Sequence, residues 1–553
     1  MNRRQFSRTG LTLALTRSFE GRAQQAATGP ITDIPVREPE ATHYSWWQRP
    51  PVDVRDWPVL IGTESQLFVD DHLIDSRTNV SRQFHQPVKH STGYVLRPEV
   101  PWEGTACMAH GTVIRDSSGT LRMYYEGWTG DVRFEKSSEN PRCVYCMATS
   151  EDGLYWERPR LDVQSFRGQS GTNIILPYQP AVNYYTQVSV ILDATDPNPS
   201  RRWKLGVKDG GAGLIVDDPS NPGTGHIGPG PYAGAGYFAW FSADGIRWKK
   251  RPEPIMTDGW SIKRENWPLK GVAENQSVLF DPVRKKFVAF VRIWDCRPGR
   301  PAIWRSRAVS ESDDFLHWTP PRVLFLPLED DEAGLQFYGS TGFNYESMYL
   351  GLLRCYRSAS THQVYFQLVS SRDGVHWVRA GNRQPFIDNG PLGSLDGGYH
   401  SDFSNPPIRM GDELWFYYGS TEFGKNVRPY KGGICLARLR LDGFASIDAG
   451  ERRGTLLTRP LDFARAANTL KLNCKPRRGG NIAVEVLDRE GRSIPGFQLA
   501  EAIPVHEDSV AAGVSWRGGA ALNSLSDRTI RLKFHMVDAS IYSFSIRAGA
   551  NAQ

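Results

Sequence analysis

Four carboxylates in this chain stand where they could do acid–base chemistry. Glu274 opens a β-rich run, Asp402 follows a His-Ser pair, and Asp71 and Glu103 lie nearer the amino terminus. Two carboxylates that face one bond can act as a pair, one as an acid with a raised pKa and the other as a nucleophile or as a base through a water.

Each of these carboxylates also has a simpler interpretation. A carboxylate at a strand end is commonly a polar group that its neighbours satisfy. Asp70-Asp71 is typical of a hairpin turn between short strands, which is the favoured interpretation there, and Glu103 could line a pocket or cap a loop. The catalytic and the structural interpretations therefore both stay open.

Polar and aromatic residues near the same strand ends could contact a ligand. Alignment of the predicted inner strands on their turns places His110, Gln187 and Asn275 at equivalent heights. Two arginines near the ends of second strands could clamp a carboxylate or sugar hydroxyls, or could be surface charges. The candidate binding residues are His110, Gln187, Asn275, Arg292, Arg354, His400 and Trp128.

A recurring heptapeptide, Ser-x-Asp-[Gly/Phe]-x-x-Trp, indicates which elements position these residues. Each copy follows an alternating β-rich run, so its Asp predicts a tight turn and its Trp the start of the next strand. A second hairpin precedes each copy. A fifth, weaker unit turns at Asp442-Gly443 and has Ser446 in place of the Trp. The four copies begin at Ser150, Ser242, Ser312 and Ser371.

These repeats predict an all-β protein with two folded domains. Two hairpins per unit make a four-stranded antiparallel sheet, and five sheets predict a five-bladed β-propeller over residues 95–446. Residues 41–94 are expected to form an amino-terminal extension that leads into it. Residues 447–553 hold regularly spaced strand-like runs and predict a carboxy-terminal β-sandwich. The alternative, one large sandwich with coincidental turns, is disfavoured by four matches in register.

The composition narrows the possible partners. The chain has 553 residues, of which 17 are Trp, and this suits sheet packing or a surface that stacks on sugars. The formal charge of +6 is spread over the chain, which argues against nucleic-acid binding, and no apolar run is long enough for a transmembrane helix. Seven scattered Cys indicate neither a disulfide framework nor a metal site. The oligomeric state is not predicted.

The first residues are typical of a targeting segment. Arg3-Arg4-Gln5-Phe6 precedes a short apolar segment over Leu11–Leu15, which resembles a twin-arginine export signal. Residues 1–40 are therefore expected to direct export to the periplasm or the medium. Arg17 interrupts the apolar segment early and no Ala-x-Ala site follows, so a disordered basic tail is the alternative.

Three stretches resemble a known group of enzymes. Val95–Glu103, Leu121–Gly127 and Met147–Gly153 are similar to the first blade of five-bladed propeller glycosidases, glycoside hydrolase families 32, 43, 62, 68 and 130. The resemblance covers roughly residues 65 to 550, and a propeller followed by a sandwich is most similar to the family 32 layout. It implies a glycosidase with a carbohydrate substrate and no cofactor, except that a structural Ca²⁺ on the axis is possible. Glycosidases of this shape need two carboxylates that face the scissile bond, so the resemblance implies Glu274 as the acid and Asp402 as the second carboxylate.

One departure from that resemblance leaves other functions open. Families 32 and 43 have an Asp near the start of the first blade, where this chain has Ala109-His110-Gly111. One alternative is a polysaccharide lyase, in which His or Tyr removes the proton beside a uronate carboxylate that an Arg neutralises. Another alternative is a propeller that binds carbohydrate without catalysis.

Overall fold

The protein is built from β-strands. The computed structural model describes residues 57–91, 93–129, 143–177, 185–209, 236–257, 273–294, 304–425, 427, 431–464 and 468–548, with only the backbone at 185–187, 209, 236, 257, 273–276 and 294. Helical structure in these ranges is limited to 3₁₀ turns at Pro101–Glu103, Pro199–Arg201, Gly381–Arg383 and Leu522–Leu525. The predicted all-β class is confirmed. No helix in these ranges has the length and apolar character needed to span a bilayer.

The chain divides into two compact units. The repeat unit contains residues 84–379 and 383–444, and the terminal unit contains residues up to 83, residues 380–382 and residues from 445 onward. The expected amino-terminal extension therefore contributes most of its described strands to the terminal unit. These first strands are β1 (Val59–Ile61), β2 (Gln66–Leu67), β3 (Ile74–Thr78), β4 (Val80–Phe84) and β5 (Val88–Lys89).

In the repeat unit, strands that are consecutive in sequence pair into antiparallel sets, and the predicted hairpins form as expected. We number the five sets in chain order as sheets 1 to 5; strand pairs join sheets 1 and 5 into one eight-stranded sheet. Sheet by sheet, the strands are β6 (Ala106–Arg115), β7 (Leu121–Trp128) and β8 (Val144–Ser150); β9 (Tyr185–Leu192), β10 (Trp203–Asp209), β11 (Gly236–Ser242), β12 (Lys249–Lys250) and β13 (Met256–Thr257); β14 (Ala273–Asp281), β15 (Lys286–Trp294), β16 (Arg305–Ser312) and β17 (Arg322–Phe325); β18 (Leu335–Tyr345), β19 (Met348–Arg357), β20 (Val364–Ser371), β21 (Val378–Arg379) and β22 (Pro385–Ile387); β23 (Ser401–Asp402), β24 (Ile408–Met410), β25 (Glu413–Thr421) and β26 (Gly432–Arg440).

Sheet 5 differs from the repeat that the sequence predicts. The turn at Asp442-Gly443 leads into residues of the terminal unit, so Ser446 does not begin a fourth strand of this sheet. Instead β5 pairs antiparallel with β26, and Lys89 lies opposite Ala437. A strand from the beginning of the unit thus covers the edge that β26 would otherwise expose. Local sequence could not reveal this pairing because its two strands are far apart in the chain.

The first strands of the five sheets are linked in a closed cycle. Each link is a hydrogen bond in which a hydroxyl or a carboxylate of one strand meets the next strand. The links are Val190 N to Thr112 Oγ1 (2.9 Å), Val278 N to Ser189 Oγ (3.1 Å), Ser277 Oγ to Thr341 Oγ1 (3.2 Å), Thr341 Oγ1 to Asp402 Oδ2 (2.8 Å) and Ala109 N to Ser401 Oγ (3.1 Å).

The four heptapeptides form the same turn after the third strand of sheets 1 to 4. In the first copy, Asp152 Oδ1 accepts from the backbone N–H groups of Leu154 and Tyr155, and Ser150 Oγ accepts from Gly153 N. The Trp156 indole donates to the carbonyl of Gly153. The backbone hydrogen bonds of Tyr155 and Leu154 lower the pKa of Asp152 because they stabilise its charged form. The predicted turns are confirmed.

Irregularities in the first strands occur where candidate ligand-binding residues lie. The β6–β7 register shifts between Met108 and Thr112, so three residues centred on His110 oppose one residue of β7. Gly111 tolerates no side chain here, since a Cβ would collide with the carbonyl oxygen of Tyr124. Comparable shifts occur in β9, β14 and β18. Such bulges re-aim side chains away from the regular alternation of a strand.

The terminal unit holds one ten-stranded sheet over a continuous apolar core. The strands from Ala445 onward are β27 (Ala445–Ala449), β28 (Gly454–Thr458), β29 (Leu461–Phe463), β30 (Thr469–Asp488), β31 (Ala502–Ile503), β32 (Ser509–Gly513), β33 (Ser515–Trp516) and β34 (Ile530–Arg547). The two long strands, β30 and β34, pair along their length and shift register between Pro476 and Asn481. Strands β1, β2 and β3 pair with β29, β34 and β28, respectively. Leu456, Leu472, Val484 and Phe534 are fully buried in its core.

Candidate functional site

His110 is held by a buried glutamate on the neighbouring strand. Its Nδ1 lies 2.6 Å from Glu126 Oε2, which also accepts a hydrogen bond from the Trp128 indole at 3.0 Å. Tyr145 donates to the other carboxylate oxygen at 3.3 Å. Burial alone would raise the pKa of Glu126, but the charge and hydrogen bond of His110 outweigh it and lower this pKa to about 2. Glu126 is therefore a carboxylate that orients the imidazole.

The other imidazole nitrogen faces groups from two further parts of the chain. His110 Nε2 lies 3.2 Å from the Tyr399 hydroxyl and 3.3 Å from Arg354 Nη1. Arg354 also donates to the Tyr399 hydroxyl at 3.5 Å. The two ring nitrogens therefore have different surroundings: Nδ1 faces the Glu126 carboxylate, and Nε2 faces a guanidinium and a phenol.

Asp402 completes this group of side chains on the far side of Arg354. Its Oδ1 lies 3.1 Å from Arg354 Nη1, and its Oδ2 accepts from Thr341 Oγ1 at 2.8 Å. The Asp402 side chain is 9% exposed, and that of Arg354 is 1% exposed. We call His110, Glu126, Arg354, Tyr399 and Asp402 the central cluster. It places two carboxylates, an imidazole, a phenol and a guanidinium within a run of direct contacts.

Two more buried arginines lie behind Arg354. Arg292 and Arg307 face each other across the β15–β16 ladder, so their side chains share one face of sheet 3. Arg307 donates to Ser340 Oγ at 3.2 Å and to the Phe290 carbonyl at 2.8 Å. Burial, Arg354 and Arg292 together lower the pKa of Arg307 to about 9, against the opposing effect of Asp402. Asp402 therefore lies within electrostatic reach of two buried arginines, Arg354 and Arg307.

Aromatic rings enclose the cluster. The Tyr399 ring is perpendicular to that of Tyr338 at 5.8 Å and near-perpendicular to the His110 ring at 6.2 Å. The Arg354 guanidinium lies 5.4 Å from the Tyr338 ring centroid, and Lys425 Nζ lies 4.8 Å from it. Cations over ring faces are attracted by the ring quadrupole. These contacts fix the Tyr338 ring, and the Tyr399 ring packs between it and His110.

The structure thus brings together His110, Arg354, Asp402 and Trp128 of the residues that the sequence predicts. Arg292 lies in the arginine group behind them. Glu126, Tyr399, Thr341 and Arg307 were missed. A signal for Glu126 existed, since alternation along β7 places it on the same face as Tyr124 and Trp128, and Arg122 is the other charged residue of this strand. Tyr399 offered none, because it precedes a two-residue strand.

Glu103 lies on the opposite face of β7 from the central cluster. Its fully buried carboxylate accepts a hydrogen bond from Tyr125, whose side chain points away from that of Glu126, and pairs with Arg158 Nε at 2.7 Å. It also accepts from the backbone N–H of Glu99 at 2.8 Å. These contacts use both oxygens of the carboxylate, so Glu103 is a structural group that connects β7 with Arg158 and with the backbone of Glu99.

His400 points into the core, unlike its neighbour Tyr399. It is fully buried, stacks on Phe366 at 5.7 Å and contacts Tyr418 at 4.9 Å. Its Nε2 lies 3.1 Å from the Asp396 carbonyl oxygen. Burial lowers the pKa of His400 to about 4, so the imidazole is neutral at neutral pH. This side chain is a packed core group and does not join the central cluster.

Three further candidates fall outside the described side chains, and one belongs to the other unit. The backbones of Gln187, Glu274 and Asn275 lie in β9 and β14, but their side chains are outside the described residues. The roles predicted for them stay predictions. Asp71 lies in a turn of the terminal unit, where it pairs with Arg77 at 3.3 Å and with Arg82. The turn joins β2 to β3, but these strands pair with β34 and β28 and not with each other, so the predicted hairpin does not form here.

The described residues give no direct sign of a metal site. Across these ranges no three or more His, Cys, Asp or Glu side chains group in a way that could hold a metal ion. Six cysteines in the described part, all except Cys296, are present as free thiols. A structural Ca²⁺ stays a prediction.

Comparisons with known proteins point to carbohydrate-active structures. No protein-family model matches the chain, and no curated protein matches it. Solved structures do match. One is an N-acetylgalactosamine deacetylase from F. plautii in complex with blood group B trisaccharide, with 15% identity and a TM-score of 0.39 over 66% of this chain and 96% of that one.

Two further matches are glycoside hydrolases. A family 43 arabinoxylan arabinofuranohydrolase from Bacillus subtilis, in complex with cellotetraose, has 10% identity and a TM-score of 0.37 over 83% of this chain and all of that one (100%). A family 117 glycoside hydrolase from Zobellia galactanivorans has 14% identity and a TM-score of 0.37 over 65% of this chain and 89% of that one. Family 43, named in the sequence resemblance, is thus among the structures to which the chain is similar. Because these TM-scores lie below 0.5, the function below is argued from the side chains of this protein.

Proposed function

We propose that the protein is a glycoside hydrolase that acts on a polysaccharide or oligosaccharide at the central cluster. One observation carries this proposal: Asp402, at the end of the first strand β23, meets Arg354 of β19 and His110 of β6 in direct contact, and the three residues come from three different sheets. Ionisable side chains gathered at one point, at a cost in desolvation, are typical of a catalytic site rather than of a core.

Asp402 suits the carboxylate of such a reaction. Glycosidic cleavage develops positive charge at the anomeric carbon, and a fixed negative group beside that carbon stabilises it. Arg354 and Thr341 hold the Asp402 carboxylate in one orientation. The second carboxylate predicted from the sequence, Glu274, is proposed to lie near the same strand ends.

The proposal includes the architecture that would present this site. The closed cycle of hydrogen bonds between five first strands supports a five-bladed β-propeller, with the central cluster near its axis. The paired long strands and apolar core of the terminal unit support a β-sandwich.

Product release from a polysaccharide panel tests the hydrolase. Wild type is expected to generate reducing ends from at least one glycan, and Asp402→Asn is expected to lower the rate by about 100-fold or more while the protein stays folded. Asp412→Asn is the matched control, because Asp412 is an exposed turn residue of the same sheet and should leave the rate unchanged. Equal rates for wild type and Asp402→Asn would show that Asp402 takes no part in catalysis. Absence of product from every glycan would contradict the proposed hydrolase activity.

A polysaccharide lyase is the second candidate, because Tyr399 and His110 lie beside Arg354. In a lyase, Arg354 would neutralise the substrate carboxylate while Tyr399 or His110 removes the adjacent proton. Against this, Arg354 Nη1 is engaged by Asp402 at 3.1 Å, so a substrate carboxylate would have to compete for it. The ultraviolet absorbance of unsaturated uronates, followed in the same assay, separates the two: a lyase product absorbs and a hydrolase product does not.

We also propose export through the twin-arginine segment, which lies outside the described residues. The double substitution of Arg3 and Arg4 by Lys is expected to retain the protein in the cytoplasm. Cell fractionation and immunoblotting measure this, and unchanged export of the variant would point to another route.

A further inference from the structure

Tyr399, His110 and Glu126 form a run of three side chains with the order of a nucleophile–base–orienter group. The Tyr399 hydroxyl lies 3.2 Å from His110 Nε2, and His110 Nδ1 lies 2.6 Å from Glu126 Oε2. Trp128 and Tyr145 hold the Glu126 carboxylate from its other side. A base within hydrogen-bond reach of a hydroxyl, and itself oriented by a third group, is the arrangement that activates or relays a proton.

The contacts decide which way a proton can travel. A proton does not leave the group at Glu126, because this buried carboxylate has both oxygens in contact with His110, Trp128 and Tyr145. At Nε2 the described contacts are Arg354 Nη1 and the Tyr399 hydroxyl. A guanidinium does not give up its proton in proteins, whereas a phenol both accepts and donates one. A proton that leaves His110 Nε2 therefore passes through Tyr399.

We propose that Tyr399, His110 and Glu126 are a proton relay that supplies the acid–base chemistry of the central cluster. The proposal rests on the proposed glycoside hydrolase and adds to it two catalytic groups, the Tyr399 hydroxyl and the His110 imidazole. Glu126 is a positioning residue that acts through His110. The sequence predicts that Glu274 supplies the acid proton, whereas in this relay Tyr399 supplies it, and the experiments below distinguish the two.

In the first half of the reaction the relay donates a proton. The bond between the anomeric carbon and the glycosidic oxygen breaks, its electron pair stays on that oxygen, and the oxygen takes the Tyr399 hydroxyl proton. Tyr399 regains a proton from Nε2 of the imidazolium, which becomes a neutral imidazole. The Asp402 carboxylate faces the positive charge that develops on the anomeric carbon.

In the second half the relay takes the proton back. A water oxygen bonds to the anomeric carbon, its proton passes to the Tyr399 oxygen, and the Tyr399 proton passes to His110 Nε2. The enzyme is then restored, with one glycoside and one water converted to two products. Glu126 stabilises the imidazolium from 2.6 Å, and Arg354, 3.5 Å from the Tyr399 hydroxyl, stabilises negative charge on it during transfer.

Leaving-group dependence tests the relay. The probes are the methyl and para-nitrophenyl glycosides of the sugar released in the panel, because nitrophenolate leaves without a proton and an alcohol does not. Tyr399→Phe is expected to lower kcat by about 100-fold or more on the methyl glycoside and by less than about tenfold on the para-nitrophenyl glycoside. Tyr417→Phe is the matched control: Tyr417 is a buried tyrosine that donates to the Gly153 carbonyl and should change neither rate.

The pH profile tests Glu126 separately. Loss of its charge destabilises the imidazolium, so Glu126→Gln is expected to move the alkaline limb of kcat to lower pH, and Glu126→Asp is expected to restore part of that shift. A merely structural role of Glu126 would lower kcat at every pH without moving the limb.

Three results would overturn the relay. These are equal losses for Tyr399→Phe on both glycosides, an unmoved alkaline limb in Glu126→Gln, and a leaving-group dependence that appears in Glu274→Gln instead. In each of these cases wild type still hydrolyses the glycosides, so the proposed function survives. Absence of hydrolysis by wild type removes the proposed function and the relay together.

Discussion

Substitution of Glu126 by Gln is expected to make the protein less stable by an amount that depends on pH. The side chain is 5% exposed, and its carboxylate has a charged partner, His110, at 2.6 Å. Gln keeps the size and one acceptor oxygen but loses the negative charge. The imidazole and its proton on Nδ1 then face a neutral group, and the electrostatic part of the contact is lost.

The magnitude follows from the pKa of Glu126, which is lowered from 4.5 to about 2 in the folded protein. At about 1.4 kcal/mol for each unit of pKa, this carboxylate contributes about 3 kcal/mol to the free energy of unfolding. Because the folded pKa is the lower one, this contribution is present above about pH 4.5 and is lost as the pH falls towards about 2. The stability difference between wild type and Glu126→Gln should therefore be largest at neutral pH and shrink in acid.

Urea unfolding followed by tryptophan fluorescence, measured from neutral pH down to about pH 2, checks this expectation. Glu413→Gln is the matched control, since Glu413 belongs to the same unit but is 43% exposed, and it should change stability by no more than about 0.5 kcal/mol at any pH. A penalty for Glu126→Gln that is the same at every pH would refute the electrostatic reasoning. A penalty below about 1 kcal/mol at neutral pH would refute the burial and pairing of this carboxylate.

Three further outcomes follow from other contacts of the repeat unit. Asp373→Ala should lower the free energy of unfolding by about 2 kcal/mol, because the Asp373 carboxylate accepts from Val375 N and His376 N at the fourth turn; an unchanged urea midpoint would contradict this. The pKa of His400 falls from 6.5 to about 4 on folding, so the unfolded chain binds the proton more readily, and the free energy of unfolding of wild type should fall by about 3 kcal/mol as the pH is lowered between these values. His400→Phe should reduce this fall, and parallel pH–stability curves for the two proteins would contradict the role of His400. Glu103→Gln should lower the free energy of unfolding by about 3 kcal/mol yet leave kcat within about twofold of wild type. A large fall in kcat of the folded variant would show that Glu103 does contribute to catalysis.

Prediction from sequence succeeded where one short segment carries all the interacting groups. The heptapeptide turns are such segments: in Ser150–Trp156 the carboxylate, hydroxyl and indole all bond to backbone within seven residues. The hairpins before each turn were predicted for the same reason. Sheet 5 was predicted less well, because its outer edge is covered by β5, which comes from the other end of the repeat unit.

The candidate site could be predicted only in part. His110, Arg354 and Asp402 were expected near strand ends, and the structure brings them into contact. Tyr399 and His400 show why the rest could not be predicted. Adjacent residues of an extended segment point to opposite sides, so one enters the cluster and the other the core, and nothing local says which.

The amino-acid sequence by itself determined the strand pattern, the turns and hence the all-β class of this protein, because alternation and turn chemistry act over a few residues. Only the tertiary structure decided which polar groups meet. The His110–Glu126 contact needs the β6–β7 pairing, and the contacts of His110 with Arg354 and Tyr399 span 244 and 289 residues. The physical reason is that a strand sets the side to which a residue points, whereas a bulge and the packing of separate sheets set what it meets there.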